Sequence, residues 1–344
     1  MMTRRLALYV PLVFLAAIQG QAKDKKETDK PPSLWVEPTD IKSRDLIYGQ
    51  GGREHAPTAG PFVFVEEDSG GNSPKFIVKD ANGVKWKVKV GAEARPETVV
   101  TRLVWAVGYA TDEDYFLPSQ QVENMPVKLK RGGDYVNSDG IVRDARWERM
   151  DHTKLGEWKW KKNPFSKTRE LNGLRVLMAL VNNYDMKDAQ NAVYEKPAKE
   201  QYVVSDLGAT MGPTGSRWPA ATPRGDLDRY SKANFIKKVH KDSVDFAAPS
   251  WPMLFGVVPM IPLPYSAISY PFSFLGMPRM ENVASQRWIG KKVPIEDVRW
   301  MAGLLKQLSP AQIRNAFHSA NYPPEEVEGF SLALEKRIAA LGAI

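Results

Sequence analysis

The sequence predicts an α+β fold in two parts: an antiparallel, sheet-rich part with one helix over residues 45–150, and a mostly helical part over 151–344. Three observations predict it. Strand-like apolar runs separated by glycine turns crowd the first part. A single apolar stripe at helical spacing interrupts them near residues 96–107. In the last third, three segments with helical periodicity each open near a proline and polar or acidic residues.

The elements follow in order. Phe62-Val63-Phe64-Val65 is a first strand. Phe76–Lys79 and Val84–Val90 flank Asp80-Ala81-Asn82-Gly83, and Asn-Gly between strand-like runs marks a hairpin. Along the second of these strands Val84, Trp86, Val88 and Val90 share one face, while Lys85, Lys87 and Lys89 share the other, which reads as solvated. Pro96 suits the first turn of a helix whose stripe is Val99, Val100, Leu103, Val104 and Val107, with Gly108 at its end. Residues 125–130 and 141–149 read as further strands, joined through Gly132-Gly133 and Asp139-Gly140.

In the second part Leu171–Val181 reads as a helix, and Val193-Tyr194 with Tyr202–Val204 as a small hairpin. Ala233–His240 suggests a short helix. Pro294–Leu308, Pro310–Ala320 and Pro323–Leu341 are the three terminal helices. Between them, Trp251–Pro278 holds six prolines among large apolar residues. Prolines this dense forbid a helix or a central strand. The segment reads as an extended loop over the helical part, or as an apolar surface for a membrane or protein contact.

The N-terminus reads as an export signal. Thr3-Arg4-Arg5 supplies positive charge, Leu6–Ile18 an apolar run too short to span a membrane comfortably, and Gln19–Ala22 small residues for cleavage. Residues 1–22 are therefore expected to be a signal peptide, with the protein periplasmic, secreted or in a secretory lumen. Residues 23–44, rich in Lys, Asp and Pro, read as a flexible lead-in.

Composition narrows the chemistry. The 344 residues carry a net charge of +8, spread along the chain, so nucleic acid is not the expected partner. Zero cysteines exclude disulfides, thiolate metal sites and thiol nucleophiles. Four scattered histidines give no HExxH pair, and no Gly-x-Ser-x-Gly elbow is present.

Two short stretches carry most of the remaining signal. Asn183-Tyr184-Asp185-Met186-Lys187-Asp188-Ala189-Gln190-Asn191 follows the helix over 171–181, and Tyr202-Val203-Val204-Ser205-Asp206-Leu207-Gly208 ends the hairpin strand after it. Upstream, Asp68-Ser69-Gly70-Gly71-Asn72-Ser73-Pro74-Lys75-Phe76 is a glycine loop between strands, where backbone N–H groups can approach phosphate. Lys89 closes the lysine strand, with Lys87 as the same-face alternative. Glu97, or Glu93, opens the helix after it.

Together these stretches resemble a protein-kinase-like site of the atypical kind, similar to HipA-type, lipid-kinase-like and secretory-pathway kinases. The resemblance covers about residues 62–210. It implies a two-lobed kinase-like fold, with a sheet N-lobe and a helical C-lobe. It also implies ATP with Mg or Mn as cofactors and a protein, lipid or small-molecule hydroxyl as acceptor. By the same resemblance Gly70, Gly71, Asn72 and Ser73 cradle phosphate, and Lys89 paired with Glu97 contacts it. Asp185 orients the acceptor hydroxyl, Lys187 neutralises the γ-phosphate, and Asn191 and Asp206 hold the metal. The sequence departs from the ordinary protein-kinase pattern. Gln190 stands five residues after Asp185, where the metal-binding Asn is usual, and Asn191 is one residue late. Asn183-Tyr184 replaces His-Arg, Leu207 replaces Phe, and no Ala-Pro-Glu follows. Two other readings stay open: a kinase-fold binding or scaffold protein without catalysis, and an envelope interaction protein of unrelated fold.

Overall fold

A computed structural model describes residues 25–26, 28–58, 60–71, 73–183, 185–213, 224–247 and 288–344. The expected leader over 1–22 and the proline-rich stretch 251–278 lie outside the described residues. Among the described residues the fold is α+β, and no helix is long and apolar enough to cross a membrane.

The expected lead-in is packed against the rest of the chain. Its strand β1 (Pro32–Ser33) pairs in parallel with Glu200 and Gln201, and Leu34 and Ile41 are buried. Five strands then form a closed barrel: β2 (Phe62–Asp68), β3 (Lys75–Asp80), β4 (Lys85–Val90), β5 (Asp114–Glu123) and β6 (Ile141–Arg149). The order is β2-β3-β4-β6-β5, and neighbours are antiparallel except at the closing pair. There β2 meets β5 in parallel, Phe62 opposite Val122 and Val63 opposite Glu123.

This corrects the expected purely antiparallel sheet. Side-chain alternation specifies which face is apolar but not whether the sheet closes. Closure lets Phe62, Val78, Trp86, Val88, Val142 and Trp147 fill one interior at 0–1% exposure. The Asn-Gly hairpin forms as expected, with β3 and β4 in register from Lys79↔Lys85 to Lys75↔Lys89. Residues 125–130 form no strand. The strand lies earlier, at β5, whose acidic start and Pro118 obscure the apolar pattern.

Helix α1 (Ala94–Ala106) lies between the barrel and a second, larger core. Its valine stripe faces that core, with Leu174, Leu177 and Met178 of α2 (Arg169–Leu180). A second sheet has the order β1-β9-β8-β7, from β7 (Lys154–Gly156), β8 (Asn191–Glu195) and β9 (Glu200–Val204). Further on come α3 (Leu227–Lys232), β10 (Ile236–Val239), β11 (Ser243–Phe246) and β12 (Val293–Pro294). The terminal helices are α4 (Ile295–Leu305), α5 (Pro310–His318) and α6 (Pro324–Gly342), close to their expected bounds.

The second part is therefore less helical than the sequence suggests. The expected helix over 233–240 is instead largely β10, paired with β11 and brought into the core by a Phe235–Phe246 ring contact at 5.3 Å. A tight hairpin with the next strand, Val239 opposite Val244, overrides a helical apolar spacing of only three residues.

Candidate functional site

The lysine face of β4 is open only at its start, where Lys85 is exposed and Lys87 half-buried. Helix α1 and the loop after β9 cover its far end, and Lys89 is 6% exposed. Its ammonium lies 2.7 Å from Glu97 Oε2, 3.2 Å from Glu93 Oε2 and 3.1 Å from Asp206 Oδ1. Both sequence candidates for the helix acid thus reach the same lysine. Lys87 points to a different partner, Glu148, at 2.6 Å.

Three carboxylates around one ammonium set the charge states. Burial works against the Lys89 ammonium, but Glu97, then Asp206 and Glu93, outweigh it and raise its pKa above the ordinary lysine value. Glu97 is the most deeply enclosed of the three. Burial pushes it up to about 7, against the pull of Arg146 and Lys89. Asp206 is likewise opposed by burial, yet Lys89, with Arg146 and Lys187 behind it, holds it at about 2.

The loops that supply the acids are fixed by their local sequence. Helix α2 ends where Asn182 takes a left-handed conformation at φ 54°. Its amide donates to Gly212 O at 2.7 Å, and its oxygen accepts from Arg337 at 2.7 Å. Asn183 Oδ1 accepts the Asp185 N–H at 3.0 Å, and Met186 is buried. A 3₁₀ turn over Asp188–Gln190 leads into β8, and the β8–β9 hairpin returns the chain so that Ser205 N–H donates to Gln190 O at 3.1 Å. That single backbone bond ties the two acidic loops together.

Side chains complete the junction. Gln190 Nε2 donates to Asp185 Oδ2 and to Asp206 Oδ2, each at 2.8 Å. Lys187 Nζ lies 2.7 Å from Asp185 Oδ2. Gly208 has no room for a side chain, since a Cβ there would lie 2.6 Å from Glu93 Cβ. The result is one continuous chain of contacts, Glu97–Lys89–Asp206–Gln190–Asp185–Lys187.

Asn191 is placed differently. It is buried at the start of β8, its amide donates to Trp158 O at 3.0 Å, and its Oδ1 has no hydrogen-bond partner among the described residues. Of the two amides it is Gln190 that touches Asp206, at the position of the usual asparagine. The five-residue spacing from Asp185 already offered Gln190 as the alternative to Asn191.

The glycine loop meets this cluster through Ser73, whose hydroxyl donates to Glu93. Gly70 N–H is turned onto Asp68 Oδ1 at 2.8 Å. Gly71, at φ 63°, presents its carbonyl to Arg131 at 2.7 Å. Asn72 lies outside the described residues. Sequence reasoning missed two contributors, Arg131 and Arg224. Arg131 also reaches Asp68 O at 2.9 Å, and Arg224 reaches Glu93 Oε1 at 2.8 Å. Neither belongs to a motif, and only the tertiary fold brings them to the loop and to the helix.

Lys89 faces three carboxylates and Lys187 faces Asp185, so an anion here would have to take over those lysine contacts. Among the described residues no group of three or more His, Cys, Asp and Glu side chains is placed to hold a metal. Mg²⁺ does not require one, because it commonly takes one or two carboxylates and completes its shell with phosphate oxygens and water. Asp206, with Asp185 joined to it through Gln190, fits that donor set. Comparison of the chain with family models, curated proteins and solved structures returns no match.

Proposed function

We propose that this cluster is the nucleotide site of an atypical kinase-like phosphotransferase, moving the terminal phosphoryl group of ATP to a hydroxyl acceptor. The observation that carries the reading is Lys89 held between Glu97 of α1 and Asp206 of the loop after β9, with Gln190 linking Asp206 to Asp185. Phosphoryl transfer needs positioning and charge neutralisation more than covalent chemistry, and these residues supply both. The order of elements agrees with a kinase-like N-lobe: two hairpin strands, a lysine strand, an acid-bearing helix and two more strands.

In this reading Lys89 contacts the phosphates, and the Glu97 and Glu93 carboxylates keep its ammonium in place. Ser73 and the glycine loop over 70–73 close over the phosphates. Asp185 takes the proton of the acceptor hydroxyl as its oxygen bonds to the γ-phosphorus and the bond to the β-phosphate oxygen breaks, leaving ADP. Lys187 offsets charge on the transferred group. A Mg or Mn ion, when bound, would be held by Asp206 and would neutralise the phosphates. The acceptor is a hydroxyl compound of protein, lipid or small-molecule type, and cleavage of the export signal expected over 1–22 would put the activity outside the cytoplasm.

The test is nucleotide-dependent thermal stabilisation of the full chain, followed by transfer of labelled γ-phosphate. Stabilisation by ATP with transfer lost in Asp206→Ala and Asp185→Ala supports the reading. No stabilisation at millimolar ATP removes it. One observation favours a second reading, a nucleotide-binding protein without transfer: the NH₂ of Gln190 lies between the two acids where a cation is expected. Stabilisation by ATP that is equal with and without divalent cation, and without transfer, selects this second reading.

A further inference from the structure

We propose that the Gln190 carboxamide sets the cation requirement of the cleft: its NH₂ fills the point between Asp185 and Asp206 that a shared divalent cation would take, so amide and cation exclude one another. The proposal rests on the phosphotransfer reading, and deepens it by naming the residue that controls when a cation enters.

Chemistry fixes the orientation of the amide. Nε2 donates to Asp185 Oδ2 and Asp206 Oδ2, and Oε1 accepts the Lys187 N–H at 3.2 Å. Turned over, the carbonyl oxygen would face two carboxylate oxygens and the NH₂ would face an N–H, so three hydrogen bonds would become three repulsive contacts. The present orientation therefore belongs to the cation-free state.

Charge explains why that state is self-sufficient. Asp206 has Lys89 on Oδ1 at 3.1 Å, and Asp185 has Lys187 on Oδ2 at 2.7 Å. Among the described residues each acid has one cationic side chain in contact, and both share one neutral donor. A bare cation gains little here, because it must displace the amide and compete with two lysines. Nucleotide phosphates change the balance. They offer Lys89 and Lys187 new anionic partners, which frees both acids and lets the amide turn its oxygen toward the cation. Cation and nucleotide are then expected to enter together.

The test uses the full chain, Mn²⁺ without nucleotide, and an EDTA reference, read by thermal unfolding. Wild type should respond to about 1 mM Mn²⁺ by less than about 1 °C. Gln190→Glu replaces the shared donor with a third acid. In EDTA it should unfold about 3–6 °C below wild type, and Mn²⁺ should recover at least that loss. Gln190→Ala vacates the point without adding a ligand, and should respond to Mn²⁺ more than wild type does. Asn191→Asp should gain no Mn²⁺ response.

The proposal is overturned if wild type responds to Mn²⁺ alone as strongly as the Gln190 variants, or if Mn²⁺ fails to recover Gln190→Glu. It is also overturned if the gained response follows Asn191→Asp. Should Gln190→Glu fail to fold, the comparison of Gln190→Ala with wild type decides alone. ATP titrations of wild type are a separate arm. Their failure removes the phosphotransfer reading while the cation comparison still stands or falls on its own result.

Discussion

Lys89 concentrates the consequences of this fold in one residue. It is nearly enclosed, and it is the only base in contact with Glu97, Glu93 and Asp206 together among the described residues. Lys89→Met would leave three acids facing one another. Breaking a buried ion pair from one side costs about 3–5 kcal/mol, so denaturant unfolding should show a loss of that order, together with loss of any nucleotide response. Glu97 gives a pH signature. Its carboxyl is raised from 4.5 to about 7 in the folded state, so between those values the folded chain keeps a proton the unfolded chain has released. Stability contributed by Glu97 is present below pH 4.5 and is lost as pH rises to about 7. Glu97→Gln should therefore flatten the decline of the unfolding midpoint across that window. Gln190 and Asn191 separate function from support. Asn191→Ala removes the bond to Trp158 O and should cost about 1–3 kcal/mol while sparing the nucleotide response. Gln190→Ala should change the response and cost less stability.

At the scale of elements, α1 and the outer face of the barrel enclose a polar layer. Lys89 pairs across the ladder with Arg146, and Lys87 with Glu148. Arg146 Nε lies 2.6 Å from Asp114 Oδ2, Arg102 of α1 bonds the same carboxylate, and Thr101 Oγ1 donates to it at 3.0 Å. Alternation along β4 correctly separates valines from lysines. It could not show that the lysine face is roofed, because the roof is a helix whose own pattern is misleading. The stripe of α1 is legible as its core face, yet Glu97, Thr101 and Arg102 on the opposite side are 1–2% exposed, so α1 is buried all round. Asp114→Ala would take from buried Arg102 the carboxylate it pairs with, and from Arg146 one of three. Unfolding should show a loss of about 3–5 kcal/mol, with the helix detached from the barrel rather than the barrel opened, visible as amide exchange confined first to Ala94–Ala106.

At the scale of the molecule, distant segments converge on the two acidic loops. Arg337 of α6 donates to Leu180 O at 2.8 Å and to Asn182, and bonds Tyr230 O at 3.0 Å. Gln312 of α5 bonds Ile41 O at 2.7 Å, holding the N-terminal segment to the terminal helices. The acid–base balance is also a property of the whole. Glu97 and Asp112 are raised to about 7, both chiefly by burial. Asp206 and Glu148 are held at about 2 by cationic neighbours that outweigh burial, and Glu113 by side-chain hydrogen bonds with His152 and His55. The depressed acids contribute stability that is present above their unfolded values and lost as pH falls toward 2. The raised acids contribute stability lost between about 4 and 7. Midpoints measured from pH 3 to 8 should show the two sets as opposite slopes, a rise as the depressed acids ionise and a decline toward about pH 7 as the raised acids do.

The sequence by itself determined the elements whose signals are local: the Asn-Gly hairpin, the valine stripe of α1, the helix before Asp185, the hairpin between the two acidic loops and the three terminal helices. It also determined which residues had the chemistry to meet, since Lys89, Glu97, Asp185, Lys187 and Asp206 were each singled out by residue type and position. What only the tertiary structure decided was which of them touch. The barrel closes through a parallel contact between strands more than fifty residues apart, and Lys89 is buried by the helix that follows it and by the Asp206 loop, which no window around it contains. Gln190 rather than Asn191 meets Asp206, because the 3₁₀ turn ahead of β8 faces one residue to the cleft and rotates the next onto Trp158. Periodicity encodes the face of an element. It does not encode what covers that face, and in this chain the cover makes the site.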